Sequence, residues 1–311
     1  MSVLILTHPS SHRHVTPPGH PERVARIETV DRVLASDAYV ALPRAEAPAA
    51  TDDQIERSHA AAYVEMIKSR APANGWVSLD PDTHMCPDSL EAARHAAGSN
   101  IAAVETVVSG AHKAAFCAVR PCGHHAEKDR AMGFCLFNNV AVGARHALDA
   151  LSVKNLAIVD FDVHHGNGTQ DIFWDEPRTM FVSSHQMPLY PGTGAASETG
   201  VGNIFNVPLA PNSGGREMRM AYQAHVFPAL RTFAPDLIMI SAGFDAHRDD
   251  PLANLMWTEA DFGWVTAEIC KIAAECCDGR VVSTLEGGYD LDGLANSLGA
   301  HLDALIAHAE A

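Results

Sequence analysis

Asp160-Phe161-Asp162-Val163-His164-His165-Gly166-Asn167-Gly168 follows directly on the apolar run Leu156-Ala157-Ile158-Val159. The apolar run reads as a buried β-strand. Side chains on a strand alternate faces, so the spacing predicts Asp160, Asp162 and His164 on one side. That side carries two carboxylates and an imidazole at a strand's C-terminal edge, where open parallel sheets place their ligands. Gly166 and Gly168 let the backbone turn with no side chain in the way. Carboxylates behind a buried strand need a partner, and a metal ion is the commonest good one. The alternative is a solvated loop with helix-capping aspartates, but buried carboxylates rarely cluster without a counter-charge.

Further apolar, β-rich runs lie at Val3 to Thr7, Ala114 to Val119, Thr179 to Ser183, Leu237 to Ser241 and Val281 to Leu285. Helical spacing fills Ser89 to Val108, Asn139 to Leu151, Gly215 to Phe233 and Thr258 to Cys277. Thr258 with Asp261 three residues on resembles a capping box. Alternating strand and helix is the pattern of a parallel sheet covered on both faces, so one α/β domain over residues 1–311 is expected.

The 311 residues are 47% hydrophobic and 19% charged, with a formal charge of −16. Such acidity, without a dense Lys/Arg run, disfavours direct nucleic-acid binding and an anionic membrane surface. No apolar run approaches the roughly 20 residues that span a bilayer. The N-terminal Met1 to Thr7 lacks a basic n-region and reads as a first strand, not a signal peptide. The seven cysteines show no CxxC spacing and are expected as reduced thiols in a cytoplasmic protein.

Three more strand ends carry chemistry. Ala118-Val119 leads to Arg120-Pro121-Cys122-Gly123-His124-His125, Ile240-Ser241 to Gly243-Phe244-Asp245, and Thr284-Leu285 to Glu286-Gly287-Gly288-Tyr289. Asp162, His164 and Asp245 can form a three-ligand site for Zn²⁺ or Fe²⁺ with a position left for water. One imidazole of the tandem pair can serve as general base and then acid, and Asp160 can orient an imidazole. Tyr289 can donate to a developing oxyanion. Phe134 and Tyr190 can wall a narrow channel, although the apolar Gly133 to Phe137 segment also reads as a staple for the following helix.

These residues resemble the zinc-dependent histone deacetylase family, in particular its class II and bacterial amidohydrolase-like members. The matching motifs are His20-Pro21-Glu22-Arg23, Arg120-Pro121-x-Gly123-His124-His125, Gly133-Phe134-Cys135, Asp160 to Gln170, Tyr190-Pro191-Gly192-Thr193-Gly194, Ser241 to Asp245 and Glu286 to Tyr289. They run in family order along nearly the whole chain. The resemblance implies an arginase-like α/β fold with a central, mostly parallel sheet of about eight strands. It implies hydrolysis of an acetylated amine, from an acetyl-lysine peptide or a small acetamide, to acetate and free amine. Carried over by position, Asp162, His164 and Asp245 hold the metal, and His125 is general base and acid beside His124, with Asp160 behind the pair. Tyr289 stabilises the oxyanion, and Gly133, Phe134, Tyr190, Leu252 and Gly288 contact the substrate. A structural potassium ion is implied near Asp160, Asp162, His164, Ser183 and Ser184, largely through backbone oxygens.

Departures from the family pattern bear on activity. Asn167 stands where class I members carry Asp, and a neutral amide favours an imidazolium less. Tyr289 is present where weakly active class IIa members have His. Leu252 replaces the Glu of polyamine-specialised relatives, which removes one partner for a cationic acetylpolyamine. Met85 stands where class I enzymes use Asp to hold the substrate backbone, so looser peptide binding is expected. An acetylpolyamine amidohydrolase and a non-catalytic binder of acetylated ligands are the alternative readings. A dimanganese ureohydrolase would need an Asp at Gly166 for its second ion. An oligomer is compatible with the sequence.

Overall fold

The apolar run before Asp160 is one of eight parallel strands laid side by side. The computed structural model describes residues 2–311. The strands are β1 Val3–Thr7, β2 Arg44–Glu46, β3 Val77–Ser78, β4 His84–Met85, β5 Ala114–Cys117, β6 Leu156–Asp160, β7 Thr179–Gln186, β8 Ile204–Leu209, β9 Leu237–Ala242 and β10 Val281–Leu285. The main sheet runs β2-β1-β5-β10-β9-β6-β7-β8, and β3 with β4 forms a small separate hairpin. Every neighbouring pair in the main sheet is parallel. All eight C-terminal ends therefore open on one edge.

Six of these strands are the apolar runs visible in the sequence. The two that were not foreseen are the edges. β2 is three residues long and mostly exposed, and β8 carries Asn206 and Pro208. Both features suit an edge: a short strand offers little template for unwanted pairing, and Pro removes a donor only where no ladder bond is needed.

The helices are α1 Ser10–Arg13, α2 Val24–Leu34, α3 Asp52–Ile55, α4 Ala61–Arg70, α5 Ser89–Val108, α6 Asn139–Ala150, α7 Asn167–Phe173, α8 Gly215–Ala221, α9 Phe227–Phe233, α10 Glu259–Cys276 and α11 Leu291–Glu310. The segment expected as one helix over 215–233 is interrupted by a π-turn at Tyr222–Val226, where the N–H of Phe227 reaches the Tyr222 carbonyl. Pro228, which has no N–H to donate, follows at once. The capping box of Thr258 and Asp261 is formed, with the Thr258 N–H donating to Asp261 Oδ2 at 2.9 Å.

Strand alternation divides the core. Val3, Ile5, Phe116, Val159 and Ile240 face one layer with α2, α10 and α11. Leu4, Leu6, Ala115, Ile158 and Met239 face the other, with α5 and α6. Burying both faces of a parallel sheet is what makes its strands continuous apolar runs. Fully burying each large aliphatic side chain stabilises the fold by about 1.5–3 kcal/mol.

A histidine sits inside the α10–α11 layer. His301 is fully buried against Phe116, Phe161 and Phe244, with Nδ1 at 2.7 Å from Thr266 Oγ1 and Nε2 at 2.9 Å from Ser283 Oγ. Burial pushes its pKa down to about 3. The unfolded chain, with a pKa near 6.5, binds this proton first, so the contribution of neutral His301 is intact above pH ~6.5 and declines as the pH falls towards 3. For this group the loss between pH 7 and pH 5 is about 2 kcal/mol. Urea midpoints should therefore drop less over that interval in His301→Gln than in the wild type; equal drops would show that His301 is not the residue being titrated.

Candidate active site

β5, β10, β9 and β6 are four consecutive strands of the sheet, and their C-terminal ends are the four that carry the polar motifs. At about 4.8 Å between strands, the four ends lie within roughly 15 Å of one another. The sheet order thus collects segments that are up to 165 residues apart in Gly123-His124 to Gly288-Tyr289.

The loop after β6 differs from the strand expected there. β6 stops at Asp160, and the next acids hold the chain in successive turns. Asp160 Oδ1 accepts the Asp162 N–H at 3.1 Å, and Asp162 Oδ1 accepts the His164 N–H at 2.9 Å. Each carboxylate thus bonds the backbone two residues on, an Asx turn repeated. Alternation alone would have aimed the three side chains alike; instead Asp162 and His164 converge with Asp245, while Asp160 faces His124.

Asp162, His164 and Asp245 meet with their donor atoms in one cluster, all buried. His164 Nδ1 lies 3.1 Å from Asp162 Oδ1 and 3.2 Å from Asp245 Oδ2. Asp162 Oδ2 accepts the Gly287 N–H at 2.8 Å, and Asp245 Oδ1 accepts the Val163 N–H at 2.9 Å. Gly287 has to be glycine, since a Cβ there would stand 2.1 Å from Asp245 Oδ2. Packed this closely, these groups perturb one another. Burial, and then Asp162, push the Asp245 carboxyl up to about 7. Burial opposes charge on His164 as well, but the Asp162 and Asp245 carboxylates outweigh it and lift its pKa to about 10. Two carboxylates and one imidazole, desolvated and convergent, are a donor set that fits Zn²⁺ or Fe²⁺.

Two other groups of potential ligands occur among the described residues. His8 and His95 stack face to face with centroids 3.3 Å apart, so their in-plane lone pairs run parallel rather than converging. Cys122, Cys135 and Glu286 lie under the tandem histidines, where burial first of all pushes the Cys135 thiol well above its usual range and against forming the thiolate ligand.

The tandem histidines have different partners. His124 Nδ1 lies 2.9 Å from Asp160 Oδ2, and His125 Nδ1 lies 2.7 Å from Asn167 Oδ1. Burial disfavours charge on both. For His124 the Asp162 and Asp160 carboxylates override it and hold the imidazole well above its usual range. For His125 burial prevails, aided by His124 and His164, and its pKa is pushed well down. Glu286 Oε2 accepts the N–H groups of Gly123 at 2.7 Å and His124 at 3.2 Å, which fixes the backbone of the pair.

Tyr289 is buried, and burial raises its phenol well above the usual value, so it remains a donor. Its N–H donates to Asp250 Oδ2 at 2.7 Å, while Asp250 Oδ1 accepts the Leu252 N–H at 3.0 Å. Behind it, the Arg26 guanidinium sits 5.0 Å from the ring centroid and donates to the Gly288 carbonyl at 2.6 Å. Arg26 and Arg120 both pair with the fully buried Glu22, so Glu22 of the His20 to Arg23 motif is a buried ionic anchor for the loop after β10.

A cavity of about 230 Å³ leads from the surface to this cluster, lined by Asp82, His125, Gly133, Phe134, His164, Leu189, Tyr190, Leu252 and Tyr289. A larger groove of about 680 Å³ runs along the free edge at β8, but it is mainly apolar and holds none of the clustered groups. Phe134 has φ 69°, a conformation costing a side-chain-bearing residue about 1–3 kcal/mol, and stands edge-on to Tyr289 at 5.9 Å. Gly133 also has positive φ, and a Cβ there would stand 2.3 Å from His125 Cδ2. Of the expected contact residues, Gly133, Phe134, Tyr190 and Leu252 line the cavity, whereas Gly288 does not. Ser183 pairs with Asp160 across β6 and β7; its hydroxyl is 3.0 Å from His185 Nδ1, and that of Ser184 is 2.7 Å from the Tyr222 hydroxyl.

Asp82, Leu189 and Asp250 were not singled out in the sequence. Asp82 lies on the turn of the β3–β4 hairpin, where Asp-Pro-Asp reads as an ordinary turn, and Met85 three residues on is packed in the core instead. Asp250 lies two residues before Leu252, the position compared with the polyamine-specialised relatives.

The histone deacetylase domain model matches residues 20–305. Histone deacetylase 10, chloroplastic, of Oryza sativa subsp. japonica is 41% identical over 265 residues, covering 81% of this chain, which spans 60% of that protein's length. The histone deacetylase-like amidohydrolase of Pseudomonas aeruginosa is 39% identical over 286 residues, covering 88% of this chain and 74% of the relative. The crystal structure of the HDA15 HD domain superposes with a TM-score of 0.93 at 34% identity, covering 98% of this chain and 88% of that one. The eight-stranded parallel sheet is thus the arginase-like fold, and the chain belongs to the histone deacetylase domain family of hydrolases.

Proposed function

We propose that residues 1–311 form one catalytic unit, a zinc-dependent amidohydrolase that removes acetyl groups from acetylated amines. One observation carries this reading: His164, which converges with Asp162 and Asp245, lines one narrow cavity together with His125 and Tyr289. Zn²⁺, or Fe²⁺, held by those three residues would supply a Lewis acid for the acetyl carbonyl and acidify water. His125 takes the proton of the attacking water at Nε2 and returns it to the departing amine. His124, paired with Asp160, provides positive charge beside it. The Tyr289 hydroxyl donates to the oxygen that gains charge. Phe134 and Tyr190 exclude water from the alkyl chain of the substrate. A non-catalytic binder would not need this complete set.

A structural potassium ion beside Asp160, Asp162, His164, Ser183 and Ser184 is part of the proposal. The two serine hydroxyls already have partners, which favours backbone oxygens as its ligands. A reducing compartment such as the cytoplasm suits the seven free cysteines. No helix among the described residues is long and apolar enough to cross a membrane.

The substrate is an acetyl-lysine peptide or a small acetamide. Asp82 favours the acetylpolyamine reading among the latter. Leu252 lacks the charge that would attract a second ammonium, but the Asp82 carboxylate stands at the same cavity, and Asp80 lies close enough to help raise its pKa after burial. A cation on the substrate relieves that repulsion.

Acetate release from an acetyl-lysine peptide, acetylputrescine and acetanilide tests the activity. Tyr289→Phe should lower kcat by about 100-fold or more while retaining bound metal. Asp162→Ala should lose both metal and activity. No release by zinc-, iron- or cobalt-loaded wild type on any substrate would leave the binder reading. Asp82→Asn tests the cationic preference: kcat/KM for acetylputrescine relative to neutral N-butylacetamide should fall about fivefold, the size of one partly exposed ion pair. An unchanged ratio would place the carboxylate outside substrate recognition.

A further inference from the structure

We infer that Glu127 is a positioning residue that holds the Asn167 amide in one orientation and, through it, sets the tautomer of His125. The inference rests on His125 being the base of the proposed reaction. Asn167 Oδ1 is 2.7 Å from His125 Nδ1, and Asn167 Nδ2 donates to Glu127 Oε1 at 2.7 Å. The three side chains form one line: carboxylate, amide, imidazole.

The two ends of an amide have nearly the same shape and opposite hydrogen-bonding character. With its oxygen towards His125, Asn167 requires a proton on Nδ1 and leaves the Nε2 lone pair free for proton transfer. Turned over, it would offer N–H to Nδ1, move the ring proton to Nε2 and remove the base. A carboxylate at position 167 could not make this error, because both its oxygens accept. A neutral amide therefore needs a second acceptor that only its nitrogen can satisfy.

Glu127 is that acceptor. The other partners of Asn167 Nδ2 are weaker: the His125 carbonyl at 3.4 Å and Met132 Sδ at 3.3 Å. Glu127 makes no ion pair among the described residues, so its carboxylate is not committed elsewhere. Its backbone is held on both sides, since its N–H donates to the Arg130 carbonyl at 2.9 Å and its carbonyl is 2.9 Å from His59 Nδ1. The turn after the tandem histidines thus places an acceptor behind the amide that supports the second of them.

The experiment compares Glu127→Ala with Glu127→Gln, each alone and with Asn167→Asp. Activity is read as kcat and KM for an acetylated amine, and the His125 tautomer by ¹⁵N NMR, its signals assigned by their loss in His125→Ala. Glu127→Ala should lower kcat about tenfold, the usual scale for a residue that orients a functional one, with little change in KM. It should also convert a fraction of His125 to the Nε2–H form. Glu127→Gln keeps an acceptor oxygen and should restore most of both. In Asn167→Asp, removing Glu127 should cost nothing further. Equal losses in Glu127→Ala and Glu127→Gln, an undiminished cost in Asn167→Asp, or an unchanged tautomer in Glu127→Ala would each overturn the inference. The tautomer is read without turnover, so an inactive wild type would defeat the proposed activity and still leave this inference decided by the spectra.

Discussion

Two carboxylates and an imidazole buried together at the ends of adjacent parallel strands constrain everything around them. Asp162 and Asp245 are fully buried, and His164 nearly so. Desolvated charge of this density is stable only with a counter-charge and with every oxygen occupied. Backbone N–H groups of Val163, His164 and Gly287 occupy three of the four carboxylate oxygens, the fourth, Asp245 Oδ2, faces His164 Nδ1, and glycine at 287 is the residue that lets the backbone come close enough. A divalent cation would supply the counter-charge.

The buried ionic layer beneath that cluster follows the same logic. Glu22, Arg26 and Arg120 are all fully buried, both arginines pair with Glu22, and they direct further donors to the carbonyls of Gly288 and Ser11. Removing one member of such a network leaves an uncompensated charge, typically a loss of 3–5 kcal/mol. Its position explains why polar groups are kept in a layer where apolar packing would be as stable: the network ties the N-terminal segment to the loops after β5 and β10, which carry His124, His125 and Tyr289. Asp250 does comparable work on the other side, joining the backbone of Tyr289 to that of Leu252.

Orientation, more than composition, separates the roles of chemically similar groups here. His124 and His125 are neighbours in sequence with rings 4.0 Å apart, yet one faces a carboxylate and the other an amide. The same burial therefore leaves one held up by charge and the other pushed down. A pair of pKa values driven apart in this way is the usual mark of divided acid and base duties.

Much of this was legible in the chain itself. Central strands buried on both faces must be apolar runs, so β1, β5, β6, β7, β9 and β10 stand out from their composition, and glycine-containing turns with acids or histidines mark the ends of β5, β6, β9 and β10. The edge strands β2 and β8 did not stand out, because an edge is half solvated and tolerates Arg, Glu, Asn and Pro. Nor could periodicity show that the chain leaves the strand at Asp160 and is held by side-chain bonds thereafter. Asp162, His164 and Asp245 could be named from residue type and motif. Their convergence depends on the order β5-β10-β9-β6, which no local pattern encodes. Asp82, Asp250 and Glu127 acquire meaning only from what they face, since a carboxylate in a turn has the same local sequence whether it meets solvent, a cavity or the amide behind a buried imidazole.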